Sequence, residues 1–363
     1  MRAVAKLMVL RLVSEEQLDL IMLKMESLNL RLKYLLAAIF SSTRLFSSLY
    51  YLFSSEFRRE NLAVLRGRKI HLEDIIKKRN NFYSLRRNVH RIEKGLLMRP
   101  RRNVFATRFI EETLNSFIFL LQENNFKVDN SQLKWAFDVL KEYFNIVGKH
   151  PVIDVQKARF TDLKIDDSLK QDTRSIPYKR ELNQEIVSLE QLRSLSELRR
   201  SVRWFTDESV DREKVDKAIE VATLSPSACN RQPFRFQIFD DKSSLKKIVK
   251  LPSGTAGFAE NIPALVAVIG DLSAYPFERD RHLIYIDSSL SVMPFLYALE
   301  VQGISSCVLN WPDIEKKEKQ LEKLIKIEDY ERVIMFIAIG TPDPDGLVAF
   351  SRKKELTEIR RYN

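Results

Sequence analysis

The sequence predicts two unlike halves: a mostly helical front part, then a layered sandwich of helices and sheet of the α/β or α+β class. Three observations predict it. Apolar residues near the start recur at three- and four-residue spacing, the period of a helix face. From about residue 189, short strand-like runs alternate with helix-like runs, which can bury their apolar sides only by packing in layers. The run Ala264–Gly270 is almost entirely apolar, as a strand covered on both faces must be.

In residues 1–56, Leu18, Ile21, Met22, Met25, Leu28 and Leu32 share helical spacing. The stretch 34–53 follows, with one charge, Arg44, and Ser41, Ser42, Thr43, Ser47 and Ser48 diluting its apolar residues. A membrane span needs about 20 predominantly apolar residues and tolerates a central Arg poorly. The expectation is therefore a helix packed on protein, with a helix lying in a membrane interface as the rival. Residues 58–108 hold 16 basic and 4 acidic side chains, in a chain whose net charge is +11. Such a block calls for an anionic partner or a solvated surface. Aromatics do not interleave with its arginines as a stacking platform requires, so nucleic-acid binding is not expected. Within it, His90 and Glu93 fall on one helix face, which reads as a structural contact.

Two amphipathic helices follow, at Phe109–Glu123 and Ser131–Val147, the second announced by Asp129-Asn130-Ser131. Residues 151–188 contain Pro151 and Pro177 and have no sustained period; they read as a linker that wraps the second half. The domain expectation is thus 1–150 helical and basic, 151–188 linker, and 189–363 sandwich.

In the second half, Leu189–Arg199 reads as a helix. Asp211 caps the next, with Val215, Ile219 and Val221 on its inner side. Phe234–Phe239 is a strand, Ser243–Lys250 a short helix, and Ala264–Gly270 a central strand. His282–Gln302 is the longest helix of this half, and Ile304–Leu309, Asp313–Ile325 and Val333–Ile339 give strand, helix and strand.

Composition narrows the chemistry. Nine glycines are few, and neither Gly-x-Gly-x-x-Gly nor Gly-Lys-Ser/Thr occurs. The cysteines, Cys229 and Cys307, form no disulfide framework and no metal-ligand spacing with the four scattered histidines. With Leu7–Leu10 too short for a cleavable signal core, a cytoplasmic location is expected.

Two stretches stand apart. Leu198-Arg199-Arg200-Ser201-Val202-Arg203-Trp204-Phe205 packs three arginines and a hydroxyl into five residues. Guanidinium forks and a hydroxyl suit a phosphate. Leu224-Ser225-Pro226-Ser227-Ala228-Cys229-Asn230-Arg231-Gln232-Pro233-Phe234 is a loop of small residues that lets backbone approach a flat ring. This pair, some 25 residues apart, resembles the nitroreductase family of FMN-dependent flavoproteins, whose members read Arg-Arg-Ser-x-Arg and then Pro-Ser-x-x-Asn-x-Gln-Pro.

The resemblance covers roughly residues 192–360 and implies an α+β fold, a three-layer sandwich with a mixed central sheet. It implies that Arg199, Arg200 and Ser201 meet the FMN phosphate and ribityl chain. Arg352 and Lys354 would close on the phosphate from the C-terminal segment, with Lys353 able to replace one of them, and Arg203 would face the pyrimidine edge of the ring. Pro226, Ser227, Ala228 and Asn230 would come from a second subunit, with Gln232 securing their loop. The backbone at Leu309 and Asn310 would face flavin N5 and O4. It further implies a homodimer, NADH or NADPH as electron donor and a small electron-poor organic substrate, with no general acid from the protein. Charge developing at the flavin's pyrimidine edge on reduction is stabilised by a fixed cation such as Arg203. A rival class remains: a non-catalytic scaffold with a structural flavin site, whose basic front part binds an anionic membrane or assembly.

Overall fold

The computed structural model describes residues 15–77, 82–128, 131–165, 175–180 and 187–362. The chain divides into two compact units at Asn61/Leu62. The expected boundaries at 150 and 188 do not coincide with this division: the helices beyond residue 62 and the sheet share one unit.

In the first unit, α1 (Glu15–Phe40) and α2 (Arg44–Phe53) are separated by Ser41-Ser42-Thr43. The Thr43 hydroxyl accepts from the Phe46 N–H at 3.1 Å, and the Ser42 hydroxyl donates to the Ile39 carbonyl at 2.7 Å. Serine and threonine hydroxyls that bond local backbone end one helix and start another. The apolar run 34–53 is therefore two helices turned back at the hydroxyl cluster, with the rings of Phe40 and Tyr50 5.4 Å apart. Among the described residues, the one helical stretch long and apolar enough to cross a membrane is Glu278–Glu300, and half of it is buried inside the protein.

In the second unit, α3 (Arg58–Ile76, from residue 62 on), α4 (Phe82–Leu97), α5 (Ile110–Glu123), α6 (Ser131–Ile146) and α7 (Pro151–Thr161) precede the sheet. The expected helix-start residues Asp129 and Asn130 lie outside the described residues. A helical core gathers Val89 and Ile92 of α4, Leu114 and Phe117 of α5, and Val139, Leu140 and Tyr143 of α6. Residues 151–161 are a helix and not linker. Pro151 occupies its first turn, where no N–H is required, and His150 Nδ1 accepts from the Val152 N–H at 3.2 Å. The proline that reads as a breaker is a starter.

The sheet has the order β1 (Phe234–Phe239), β2 (Ala264–Asp271), β4 (Glu331–Gly340), β3 (Ser305–Asn310), every neighbouring pair antiparallel. Among the described residues the parallel pairing is a single bridge, Ser201 with Ser306. As β2 alternates its side chains, Val266 and Val268 face one layer and Leu265 and Ala267 the other. The first layer is α9 (Arg212–Thr223) and α11 (Leu283–Glu300), through Val215, Ala218 and Ala222 and through Val292, Phe295, Leu296 and Leu299. Val221, expected inside, is 42% exposed, and Ala222 takes its place. The second layer is α10 (Lys242–Ile248) and α12 (Glu315–Leu321), through Leu245, Ile248 and Leu321. The fold is thus an α+β three-layer sandwich. α3 docks on the turn after β2: a Cβ on Gly67 would lie 2.6 Å from the Leu272 backbone, and His71 Nδ1 meets the Ser273 carbonyl at 2.8 Å.

Candidate functional site

The arginine stretch leaves α8 (Leu189–Leu198) at Arg199, its C-cap, and runs extended past β3. The Val202 N–H donates to the Ser306 carbonyl at 3.0 Å, which fixes the stretch against the start of β3. Phe205 then buries under Gly340, where a Cβ would come 2.8 Å from its ring, while Asn261 clamps the Phe205 N–H and carbonyl at 2.6 and 2.9 Å. These anchors leave Arg199 and Arg200 half-buried and Ser201 and Arg203 exposed. Arg199, Arg203 and the Ser201 hydroxyl all act on the Cys307 thiol of β3. Burial pushes that thiol's pKa up, and these three groups oppose the shift. The Arg203 guanidinium lies 5.9 Å from the Phe258 ring centroid. Among the described residues neither Arg199 nor Arg203 has an ion pair, and the nearby Ser306 hydroxyl is buried without a partner. Two guanidiniums and two hydroxyls around one strand end form a donor set that fits a phosphate monoester.

The second stretch is a loop seated on the other end of α11. Asp287 Oδ2 accepts from the Ser227 hydroxyl at 2.6 Å and from the Ala228 N–H at 2.9 Å. Burial pushes the Asp287 pKa up, against these two hydrogen bonds and the Arg231 charge. The Ser227 hydroxyl also accepts from the Gln232 N–H at 2.8 Å, and Gln232 Nε2 donates to the Thr223 carbonyl at 2.5 Å. Cys229, Asn230 and Gln232 have φ of 54, 52 and 51°. Left-handed backbone costs a non-glycine residue roughly 1–2 kcal/mol, so these contacts impose the shape. Arg86 of α4 adds to them, donating from Nε to the Asn230 carbonyl at 2.7 Å and from Nη2 to Gln232 Oε1 at 3.0 Å.

Asp287 and Arg86, which hold this loop, are not among the residues that the sequence singles out. Asp287 left a signal: a carboxylate inside an apolar helix needs partners. Arg86 left none, because it hides in a block of solvated-looking cations.

The two stretches do not meet in one chain. The loop sits at Asp287, whereas Arg199 lies within reach of Glu300, and the Ser196 hydroxyl meets the Tyr297 hydroxyl at 2.7 Å. Thirteen residues of helix between Asp287 and Glu300 span about 20 Å. At β3, Leu309 is buried, Asn310 is exposed, and the Asn310 carbonyl accepts from the Ser253 N–H at 3.0 Å. Arg352, Lys353 and Lys354 are exposed; the ion pair of Arg352 is local, to Glu355 at 3.1 Å. Pro226 is exposed at the start of the loop.

The nitroreductase family model matches residues 196–259 and 249–341. A protein of Archaeoglobus fulgidus, named provisionally as an NADH dehydrogenase/NAD(P)H nitroreductase, is 31% identical over 149 residues, 40% of this chain and 81% of that one. The chain belongs to the nitroreductase family. An iodotyrosine deiodinase of Thermotoga neapolitana is 26% identical over 201 residues, covering 48% of this chain and 99% of its own. Among solved structures, an FMN-dependent nitroreductase of Clostridium difficile aligns with a TM-score of 0.40 at 22% identity, over 47% of this chain and 98% of its own. This nitroreductase-family chain therefore carries the oxidoreductase domain of its relatives in its second half. Its front helices lie ahead of the matched residues.

Proposed function

We propose that the protein is an FMN-dependent oxidoreductase that takes hydride from NADH or NADPH and passes it to an electron-poor small molecule in a ping-pong cycle. One observation carries this reading: Arg199, Ser201 and Arg203 converge on the start of β3 with no carboxylate paired to either arginine among the described residues. When bound there, FMN supplies a two-electron carrier that accepts and donates hydride at N5. Arg199, Arg200 and Ser201 hold the phosphate end, and the exposed Arg352, Lys353 and Lys354 lie on a segment able to close over it. Arg203 keeps a fixed positive charge where negative charge develops on reduction. The end of β3 at Leu309 and Asn310, where the Asn310 carbonyl accepts from the Ser253 N–H, would border the ring.

The rest of the enclosure comes from a second copy of the chain. The loop 226–232 is held about 20 Å along α11 from Arg199, so a loop from another subunit completes each site. The donor set serves one phosphate, which favours FMN over FAD. The test is the spectrum of the purified protein and its bleaching by NADH or NADPH, with chromatography of the heat-released cofactor. FMN that is reduced by either donor is the expected result. Released FAD, or no flavin after soaking with FMN, would overturn the reading.

The scaffold reading draws on the exposed apolar side chains of α1 and α2, Leu35, Ile39, Leu45 and Leu52 among them. It would replace the enzymatic one if bound FMN stayed oxidised with both donors.

A further inference from the structure

We infer that a concavity at the C-terminal end of α4 is a binding site for a small phosphate-bearing ligand, separate from the arginine stretch at β3. The concavity has a volume of about 530 Å³ and is lined by Arg91, Lys94, Arg99 and Arg102, with no carboxylate among its lining residues. None of the four cations has an ion pair among the described residues. Of the acids close by in sequence, Glu112 acts on Arg91 through its charge but makes no ion pair with it. Glu93 Oε1 accepts from the Trp135 indole N–H at 2.9 Å, and its other oxygen lies 3.6 Å from His90. Glu112 Oε1 accepts from Asn88 Nδ2 at 3.2 Å. Four like charges around one hollow repel until an anion enters.

The hollow has a built shape. Its wall includes Phe105, whose ring lies against Gly95 so closely that a Cβ there would be 2.3 Å away. The Tyr143 hydroxyl donates to the Phe105 carbonyl at 2.8 Å and the two rings meet edge to face, which holds the wall to α6. Ala106 then turns the chain at φ 63° into α5. Arg91 is held with its guanidinium 3.7 Å from the Phe109 ring centroid, and burial lowers its pKa. A guanidinium stacked on an aromatic ring is pre-organised, so little entropy is lost when it grips an oxyanion. Two or three guanidiniums and an ammonium match the oxygens of a phosphate or diphosphate. The volume is within the range of small-molecule sites, and the apolar wall leaves room for an organic body attached to the phosphate.

A solvated face of cations is the ordinary fate of such a block. What separates this cluster is convergence on one walled hollow. The same chemistry could arrive as a soluble organophosphate or as a phosphate headgroup of a lipid.

The test is calorimetric titration of the full-length protein with inorganic pyrophosphate at low salt. The native protein, an Arg99→Gln/Arg102→Gln variant and a Lys246→Gln/Lys247→Gln control on α10 are compared. Arg99, Arg102, Lys246 and Lys247 are all exposed, and circular dichroism verifies each fold. Saturable binding that weakens at least roughly tenfold in the arginine variant, and not in the lysine control, is expected, since a hydrogen bond to a charged group contributes about 1.5–3 kcal/mol. Lys94→Gln provides an independent second variant with the same expectation. No saturable heat with native protein, or equal weakening in the control, would overturn the inference. Co-sedimentation with phosphatidic acid vesicles that depends on Arg99 and Arg102 would identify the source as a headgroup. Pyrophosphate binding without such co-sedimentation would identify a soluble ligand. Flavin content is not read in any arm, so failure here leaves the flavin reading standing.

Discussion

Three side chains carry separable consequences. Arg199 is expected to anchor the cofactor phosphate: Arg199→Ala should weaken FMN binding by about 1.5–3 kcal/mol, the contribution of a hydrogen bond to a charged group, read by flavin fluorescence titration. Wild-type affinity in that variant would exclude the role. Asp287→Ala should act on the loop itself. It strips the acceptor from the half-buried Ser227 hydroxyl and Ala228 N–H, at up to about 1–3 kcal/mol for each donor left unpaired. A lowered denaturation midpoint with an intact far-ultraviolet spectrum is the expected result. His71 gives a pH dependence. Burial holds its pKa at about 4, below the ordinary 6.5, so it is neutral in the fold. The unfolded chain takes up this proton first as pH falls through 6.5, so the stabilisation is complete above that pH and is lost progressively down to about 4. At pH 5 the loss is about 2 kcal/mol, and His71→Gln should flatten that part of the stability profile in urea melts at pH 7 and 5.

At the level of elements, the sequence was informative where hydrophobic period and caps agree, and misleading where one residue carries two meanings. β1 and the Asp211 cap are legible because Phe234–Phe239 is a bounded strand-like run and Asp211 accepts from the Glu213 N–H at 2.9 Å. The break between α1 and α2 is written in Ser41-Ser42-Thr43, yet a reading by hydropathy runs straight through it. α7 was hidden because Pro151 starts a helix as readily as it stops one. α11 shows the converse. Pro294 lies inside it and lacks an N–H, so the Leu290 carbonyl is left to accept from the Ser225 hydroxyl at 3.3 Å. The continuous apolarity of that helix is mostly spent in its own chain, on Val292, Phe295, Leu296 and Leu299, leaving Ile286 and Leu290 exposed. The docking of α3 hangs on Gly67. Gly67→Val should cost about 1–3 kcal/mol through overpacking against Leu272, visible as faster proteolysis near residues 62–77.

For the whole molecule, the sandwich and its motif stretches were legible because buried strands and a phosphate donor set leave local signatures. The assembly of the front helices was not, because contacts such as Arg86 with Gln232 join residues 146 apart. The proposed homodimer predicts twice the chain mass in light scattering at micromolar concentration, and a flavin-loaded monomer would contradict it. The front part separates two accounts. Liposome flotation on anionic but not neutral vesicles, abolished above about 0.5 M salt where screening is short-ranged, is expected if the basic block attaches the protein to a bilayer. Absence of flotation, with a second unit that unfolds once residues 62–161 are removed, is expected if those helices serve only to brace the loop.

The separation of Arg199 from Asp287 along α11 has a genetic reading. In the proposed homodimer, a lesion at either residue damages a different half of the site, and each site would draw its halves from two chains. An Arg199→Ala allele and an Asp287→Ala allele, each inactive alone, should complement one another when expressed together. Mixed dimers place both lesions in one site and leave the other whole. With random pairing roughly a quarter of all sites are restored, as expected for a two-fold assembly. Two different substitutions at the same end of the helix should never rescue each other.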